Sequence, residues 1–291
     1  MQSARPVECV ANVGAVLGEG PIWVSREQAL YWVDIKGRKV FRLDSEGEQT
    51  TWETPFRIGS LAPRQAGSFV AGTERGFAIV DLASNRFDVF SDPEPDRPGN
   101  RFNDGKLDRT GHFWAGTMDD SERCASGALY RLGPDRAWRR FDDGYKVTNG
   151  PAFSRDGRRM YHNDSALQTT FIFDLDDQGV PSNRRIFARY GEGDGYPDGM
   201  TVDADNCLWI AFWDGWCVRR FSPAGECLET TRLPVQKPTS CAFGGVGLKQ
   251  LYITSASIGL TDQERSDQPC AGGLFMLDTP HAGLEDVPFG G

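Results

Sequence analysis

Five oxygen-bearing side chains recur at one position relative to a repeated aromatic residue. They are Glu19, Asn103, Asn149, Asp198 and Ser240, and each precedes an aromatic residue by 10 to 12 positions. Glycine follows the first four within two residues. A set of carboxylate and amide oxygens favours Ca²⁺, Mg²⁺ or Mn²⁺, and Zn²⁺ and Fe²⁺ also accept carboxylates. If these positions meet in space, the sequence predicts one divalent metal site.

The aromatic residues mark an internal repeat. They are Tyr31, Phe69, Phe113, Tyr161, Trp209 and Tyr252, at intervals of 38 to 48 residues. Each begins a strand pattern that is followed by a second strand and a polar turn. A repeat of this length is typical of β-propeller blades, and no long amphipathic helical pattern competes with it. The sequence therefore predicts one all-β domain over residues 1–291, a six-bladed β-propeller with a central metal-binding channel.

The segment PVECVAN, residues 6–12, lies outside the six repeats. We predict that it pairs with the last blade and closes the ring, because an open ring leaves edge strands unpaired. The oxygen-bearing residues are predicted just before the innermost strand of each blade, where they converge on one mouth of the channel. One such residue beside glycine more often makes a turn. Five such residues at equivalent positions of the repeats favour metal ligands over turn residues, since a bound cation relieves the repulsion between crowded carboxylates.

Composition narrows the function classes. The net charge of -9 argues against nucleic acid as a partner, because phosphate binding needs a basic face. No apolar run is long enough to span a membrane, and no secretory leader pattern is present, so we expect a cytoplasmic protein. The seven cysteines are expected to be reduced, and we expect a monomer or a weak homo-oligomer. His112, His162 and His281 lie outside the repeated position and are expected to pack or to face solvent.

Several short motifs resemble one known family. They are LGEGPIW, RFNDGK, WAGTM, TNGP, SNRR, PDGM, PTSCAFGG and AGGLF, and in this order they cover roughly residues 15–277. At these motifs the chain resembles the SMP-30/gluconolactonase family, which includes regucalcin-like proteins and sugar-acid lactonases. The resemblance implies a six-bladed propeller with the metal on Glu19, Asn149 and Asp198. It also implies that Asn103 lies near the metal and that Arg101 hydrogen-bonds the substrate.

The chain departs from the family at one loop. Some members place a substrate-contacting glutamate three residues after the methionine of GTM, and here that position is Ser121. The neighbouring Asp120 and Glu122 are therefore the candidate substrate-binding acids. The compact loop favours a pentonolactone, although xylono-, arabino-, galactono- and gluconolactone differ only in hydroxyl orientation or one carbon.

The predicted reaction is hydrolysis of a sugar lactone, a small-molecule ester, to the open-chain acid. The metal polarises the lactone carbonyl, and the catalytic base is either Asp198 or a water activated by the metal. Trp213 and Tyr196 are candidate pocket walls, or they pack between blades. Two other functions stay open at this point. One is a metal-dependent esterase or organophosphate hydrolase on the same fold, and the other is a calcium-binding propeller without catalysis.

Overall fold

Almost all of the chain is extended. The structure is a computed structural model that describes residues 6–291, and within that range 24 strands form six four-stranded antiparallel sheets. Each sheet is one blade, so the predicted all-β, six-bladed propeller is confirmed. Helical structure in these residues is limited to one α-helix and three 3-10 turns: α1 (Asp262–Asp267), Ser25–Glu27, Ser165–Leu167 and Val246–Leu248. No helix in the described range is both long and apolar enough to cross a membrane.

In the first three blades the strands follow one another from the channel outward. Blade 1 contains β2 (Gly18–Val24), β3 (Ala29–Asp34), β4 (Lys39–Asp44) and β5 (Gln49–Glu53). Blade 2 contains β6 (Ile58–Pro63), β7 (Phe69–Thr73), β8 (Gly76–Asp81) and β9 (Arg86–Ser91). Blade 3 contains β10 (Asn100–Leu107), β11 (Phe113–Asp119), β12 (Gly127–Leu132) and β13 (Trp138–Tyr145).

The last three blades repeat this order, except that the last one takes its outermost strand from the other end of the chain. Blade 4 contains β14 (Thr148–Phe153), β15 (Arg159–Asp164), β16 (Thr169–Leu175) and β17 (Pro181–Arg189). Blade 5 contains β18 (Tyr196–Val202), β19 (Leu208–Trp213), β20 (Cys217–Phe221) and β21 (Cys227–Arg232). Blade 6 contains β22 (Pro238–Gly244), β23 (Gln250–Ser255), β24 (Leu274–Asp278) and β1 (Glu8–Ala11).

The N-terminal strand closes the ring, as predicted. β1 pairs antiparallel with β24, with Glu8 opposite Met276 and Cys9 opposite Phe275. Strands from the two ends of the chain thus share one sheet, and blade 6 receives its fourth strand. This pairing covers an edge of β24 that would otherwise be free to associate with another chain.

Burial falls from the channel outward. The innermost strands β2, β6, β10, β14, β18 and β22 are almost wholly buried and contact the innermost strands of the neighbouring blades. The repeated aromatic residues, such as Tyr31 and Trp209, lie on the second strand of each blade. Our prediction that the oxygen-bearing residues precede the innermost strand was therefore wrong in this detail. The oxygen-bearing residues lie within the innermost strand, because the repeated aromatic residues mark the second strand of each blade and not the first.

His162 is buried in blade 4 and packs against an aromatic ring. Its ring packs edge-on against Tyr145, with 4.6 Å between ring centroids, and neither ring nitrogen has a hydrogen-bond partner within residues 6–291. Burial, together with the nearby Arg184 guanidinium, lowers the pKa of His162 to about 3. The prediction that this histidine packs is confirmed.

We expect the free energy of unfolding of His162→Phe to fall less steeply with decreasing pH than that of the wild type. The unfolded chain protonates this histidine near pH 6.5 and the folded chain only near pH 3, so the free energy of unfolding falls as the pH drops between these values. One proton corresponds to about 1.4 kcal/mol per pH unit. Chemical denaturation of both proteins from about pH 4 to about pH 7 measures the two slopes. Equal slopes would contradict the buried, neutral state of His162.

Candidate functional site

The innermost strands share a bulge at the level of the oxygen-bearing residues. In each of the six blades described, the innermost strand carries one residue more than the second strand at this level. The register shifts between Glu19 and Ile22 in blade 1, and between Asn149 and Ala152 in blade 4. Bulges turn side chains out of the regular alternation and are frequent beside active sites. Repeated around the ring, this bulge brings the polar side chains to one mouth of the channel.

The glycines beside the bulges allow neighbouring strands to approach. A Cβ on Gly199 would lie 2.0 Å from the Oγ atom of Ser240 in the next blade. Gly150 has a φ of +84°, a conformation that other residues rarely adopt. Glycine is therefore required here by packing at the ring centre and by the bulge itself.

One pocket unites the predicted site residues. It has a volume of about 520 Å³, within the usual range for small-molecule sites. All seven predicted residues line it: Glu19, Arg101, Asn103, Asp120, Glu122, Asn149 and Asp198. The predicted walls Tyr196 and Trp213 line it too, and Tyr196 is 42% exposed, so it is not an inter-blade packing residue. Ser240 is buried and is not one of the lining residues.

The side-chain amides of Asn103 and Asn149 are hydrogen-bonded at the pocket floor. The Nδ2 atom of Asn103 donates to Oδ1 of Asn149 at 3.0 Å and to the Thr148 carbonyl at 2.8 Å. The Nδ2 atom of Asn149 donates to Oγ of Ser165 at 2.8 Å, and Ser165 donates to the Pro197 carbonyl at 2.6 Å. These bonds fix which end of each amide is oxygen. The Oδ1 atom of Asn149 thus keeps a lone pair for a further partner.

Three carboxyl groups are buried together. Glu19, Asp104 and Asp198 are each less than 8% exposed. Burial, with repulsion from Asp104, raises the pKa of Glu19 to about 8. Burial and the other two acids raise the pKa of Asp198 well above its ordinary value, and burial also raises the pKa of Asp104. Without a cation, this cluster is electrostatically unfavourable whenever it is charged.

Asp104 is the residue that sequence reasoning missed. Its Oδ1 atom accepts from the Gly105 amide and its Oδ2 atom from the Gly150 amide, both at 2.8 Å. Both oxygens therefore hold backbone in place, and Asp104 adds negative charge beside Glu19 and Asp198. The adjacency of Asn103 and Asp104 in the sequence was the available signal, because a bulge exposes two successive side chains on the same side.

The remaining oxygens fit a divalent cation. The Oδ1 atom of Asp198 is buried with no hydrogen-bond partner in the described chain, and Oε1 of Glu19 likewise receives no hydrogen bond from residues 6–291. Unpaired buried carboxylate oxygens are costly unless they bind a cation. Together with Oδ1 of Asn149 they form a hard, oxygen-only donor set, which suits Ca²⁺ and related ions. Glu19, Asn149 and Asp198 thus match the chemistry of a metal site.

Arg101 lies beside this group and is held on two of its three nitrogens. Its Nε atom donates to Asp120 at 2.6 Å, and Nη1 donates to Oδ1 of Asn103 at 2.7 Å and to the Phe102 carbonyl at 3.1 Å. Within the described residues nothing accepts from Nη2. Burial lowers the pKa of Arg101, although the Asp120 carboxylate opposes that effect. One face of the guanidinium is therefore available to a ligand.

The acidic residues at the end of β11 and in the loop after it have two different roles: one stabilises the loop and two line the pocket. Asp119 accepts hydrogen bonds from the Ser121 side chain and from the backbone amides of Arg123 and Cys124. Asp120 and the exposed Glu122 line the pocket. Ser121, at the position where some family members have glutamate, is not a lining residue.

A second acidic group near the rim of blade 5 is structural. Ligand atoms of Asp203, Asp205 and His281 lie within 4.8 Å of one another. Asp203, however, accepts from the Trp209 indole at 2.9 Å and the Arg220 Nε atom at 2.8 Å. Its other oxygen accepts two backbone amides. With its lone pairs used and an arginine in the group, this cluster has no need of a cation.

Comparisons with known proteins identify relatives along the whole chain. L-arabinolactonase from Azospirillum brasilense is 37% identical over 299 residues, covering 100% of this chain and 99% of that protein. Regucalcin from Danio rerio is 39% identical over 291 residues, covering 98% of each chain. The crystal structure of regucalcin from Agrobacterium tumefaciens, described as a calcium-binding protein, superposes with a TM-score of 0.92 at 26% identity. That superposition covers 99% of this chain and 97% of the other.

The family model described as the SMP-30/gluconolactonase/LRE-like region matches residues 17–257. This range includes the innermost strands of all six blades and every residue that lines the pocket except Ile258 and Gly259. The chain therefore belongs to the SMP-30/gluconolactonase family.

Proposed function

We propose that this chain is a metal-dependent sugar lactonase that hydrolyses an aldonolactone to the open-chain sugar acid. The observation that carries the proposal is the convergence in one pocket of an oxygen-only donor set and a partly free arginine. The donors are Glu19, Asn149 and Asp198, and Arg101 and Asn103 adjoin them. The similarity to an L-arabinolactonase along the whole chain supports ester hydrolysis as the reaction.

Glu19, Asn149 and Asp198 would hold one divalent ion, which is Ca²⁺, Zn²⁺, Mn²⁺, Mg²⁺ or Fe²⁺. When bound, such an ion supplies Lewis acidity at the lactone carbonyl and stabilises the negative charge that develops there. Three protein ligands leave coordination positions free, which is typical of catalytic rather than structural sites. The calcium-binding description of the Agrobacterium relative makes Ca²⁺ the first ion to test.

Asp198 is the proposed general base. Oδ1 would serve as the metal ligand, and the other carboxylate oxygen, Oδ2, would take a proton from the attacking water as the water oxygen bonds to the carbonyl carbon. The ring ester bond then breaks, and the proton passes to the departing alkoxide. The Nη2 atom of Arg101 and the remaining lone pair on Oδ1 of Asn103 would bind hydroxyl groups of the sugar. Glu122 would accept further hydroxyls from the mouth of the pocket.

The lining favours a hydroxyl-rich ring over an apolar ester. Charged side chains surround much of the pocket, and the rings of Tyr196 and Trp213 offer flat apolar faces to the C–H side of a sugar. Lys237 lies over the Trp213 ring at 4.4 Å and pairs with Asp214 at 3.0 Å, which holds that wall in place. A pentonolactone such as arabino- or xylonolactone is the preferred substrate, with galactono- and gluconolactone as the next candidates.

A calcium-binding role without catalysis is the second candidate, favoured by the description of the Agrobacterium relative. A lactonase needs space for a substrate beside the ion, whereas a calcium-binding protein needs only the metal ligands. A pocket of about 520 Å³ above the donor set has no purpose in a protein that only binds the ion.

Metal addition should stabilise chelator-treated protein. A cation relieves the repulsion among the buried acids and binds only the folded ring, so the melting temperature should rise with metal concentration. The rise should be lost in Glu19→Leu, which removes the ligand oxygens, and kept in Glu122→Leu, which makes the same chemical change at an exposed pocket residue. Differential scanning fluorimetry with each ion in turn measures this. An identical rise in both variants would remove Glu19 from the site.

Asp198→Asn should separate metal binding from catalysis. Asparagine keeps an oxygen ligand but cannot accept the proton, so kcat should fall by about 10² to 10⁴. Calorimetric titration shows whether the variant still binds metal, and a pH-indicator assay follows lactone opening. Metal binding together with undiminished kcat would exclude Asp198 as the base.

A substrate panel tests the reaction class. Arabino-, xylono-, galactono- and gluconolactone should be hydrolysed by the metal-loaded protein, and a phosphotriester and a simple aryl ester should react far more slowly. Preferential hydrolysis of the phosphotriester would favour an organophosphate hydrolase. No turnover of any compound with any ion would favour the binding role.

A further inference from the structure

A salt-bridge network at the rim of the pocket joins three blades. Asp120, just after β11, accepts from Nε of Arg101 at 2.6 Å and from Nζ of Lys36 at 2.9 Å on its Oδ1 atom. Its Oδ2 atom accepts from Nη1 of Arg57 at 2.8 Å. Arg57 precedes β6 in blade 2, and Lys36 lies between β3 and β4 in blade 1. One carboxylate in blade 3 thus binds cations from all three blades.

Arg57 is itself clamped in place. Oε1 of Glu74 accepts from the backbone amide of Arg57 at 3.1 Å, and Oε2 accepts from its Nε atom at 2.5 Å. Glu74 also donates its own backbone amide to the Arg57 carbonyl at 3.0 Å. The Arg57 side chain is only 23% exposed. A cation held this firmly is suited to fix the position of a partner.

The carboxylate of Asp120 has little capacity left for a sugar hydroxyl. Partial burial works against its charged form, but hydrogen bonds from Arg57, Lys36 and Arg101 hold the pKa of Asp120 well below its ordinary value. A carboxylate that binds three cations is a weak acceptor for a neutral hydroxyl, because its charge is already compensated. Asp120 therefore acts on a ligand chiefly through Arg101.

The network continues to the donor set. Arg101 donates to Asn103, and Asn103 donates to Oδ1 of Asn149. Arg57 is not a lining residue of the pocket. Within the described residues, its hydrogen-bonded route to the pocket runs through Asp120, which binds the lining residues Arg101 and Lys36.

We propose that Arg57 is a positioning residue, which acts through Asp120 to hold the Arg101 guanidinium toward the ring hydroxyls of the lactone. This inference rests on the proposed lactonase function. Arg101 would contact hydroxyls that are the same in the ground state and the transition state, so its orientation governs KM more than kcat.

The first test is a KM-against-kcat comparison. Arg57→Met keeps the apolar stem and removes the cation, and we expect KM to rise about tenfold with kcat changed by less than about threefold. Asp120→Asn should raise KM at least as much. The double variant should be no worse than Asp120→Asn alone, because both changes break one pathway. Arg86→Met, which removes the exposed pair with Asp88 in the same blade, is the control and should leave KM unchanged.

A second measurement does not depend on turnover. The Nε–H signal of Arg101 in ¹⁵N spectra, assigned by its loss in Arg101→Lys, should exchange with water faster in Arg57→Met and Asp120→Asn than in the wild type or Arg86→Met. Unchanged exchange in Arg57→Met overturns the inference, and so does an unchanged KM in active protein. If the wild type hydrolyses no lactone, the proposed function fails separately and the exchange measurement still decides the role of Arg57.

Discussion

The main electrostatic constraint on this fold is the convergence of three buried carboxyl groups near the axis of the ring. Glu19, Asp104 and Asp198 come from blades 1, 3 and 5, and no local segment of the chain would bring them together. Their mutual repulsion opposes ring closure, and the strand pairing and apolar packing of six blades must exceed it. A cluster of this kind therefore needs a rigid scaffold that holds the acids close despite their repulsion.

The same scaffold divides polar groups between two tasks. At the pocket floor, Asn103, Asn149 and Ser165 form a chain of hydrogen bonds that fixes the orientation of the donor oxygens. At the rim, the Asp120 carboxylate accepts hydrogen bonds from Lys36, Arg57 and Arg101, which come from three different blades. Second-layer contacts like these commonly determine how precisely a metal or substrate is held. In blade 5, by contrast, Asp203 uses its whole carboxylate to tie a turn to Trp209 and Arg220.

Much of the architecture was predictable because periodic signals survive in a single sequence. The aromatic repeat led to six blades, and the register of Glu19, Asn149 and Asp198 led to one pocket. The bulge was not predictable, since it depends on the pairing between strands, and so the position of these residues within the innermost strand was missed. Asp104 was overlooked because NDG also reads as a turn. The role of Arg57 was not predictable, because its partner Asp120 is 63 positions away and no spacing rule connects the two residues.

Blade 6 has a consequence for how the protein is made. β1 is made before the six innermost strands and pairs with β24, so it has no partner until the last of the described strands has been synthesised. Contacts between such distant parts of the chain form slowly. β2 contacts β22 directly, so Glu19 in blade 1 is fixed relative to Asp198 in blade 5 only after blade 6 has been made. An incomplete nascent chain would therefore present scattered, hydrated carboxylates, and the buried cluster of acids would form only after the ring has closed.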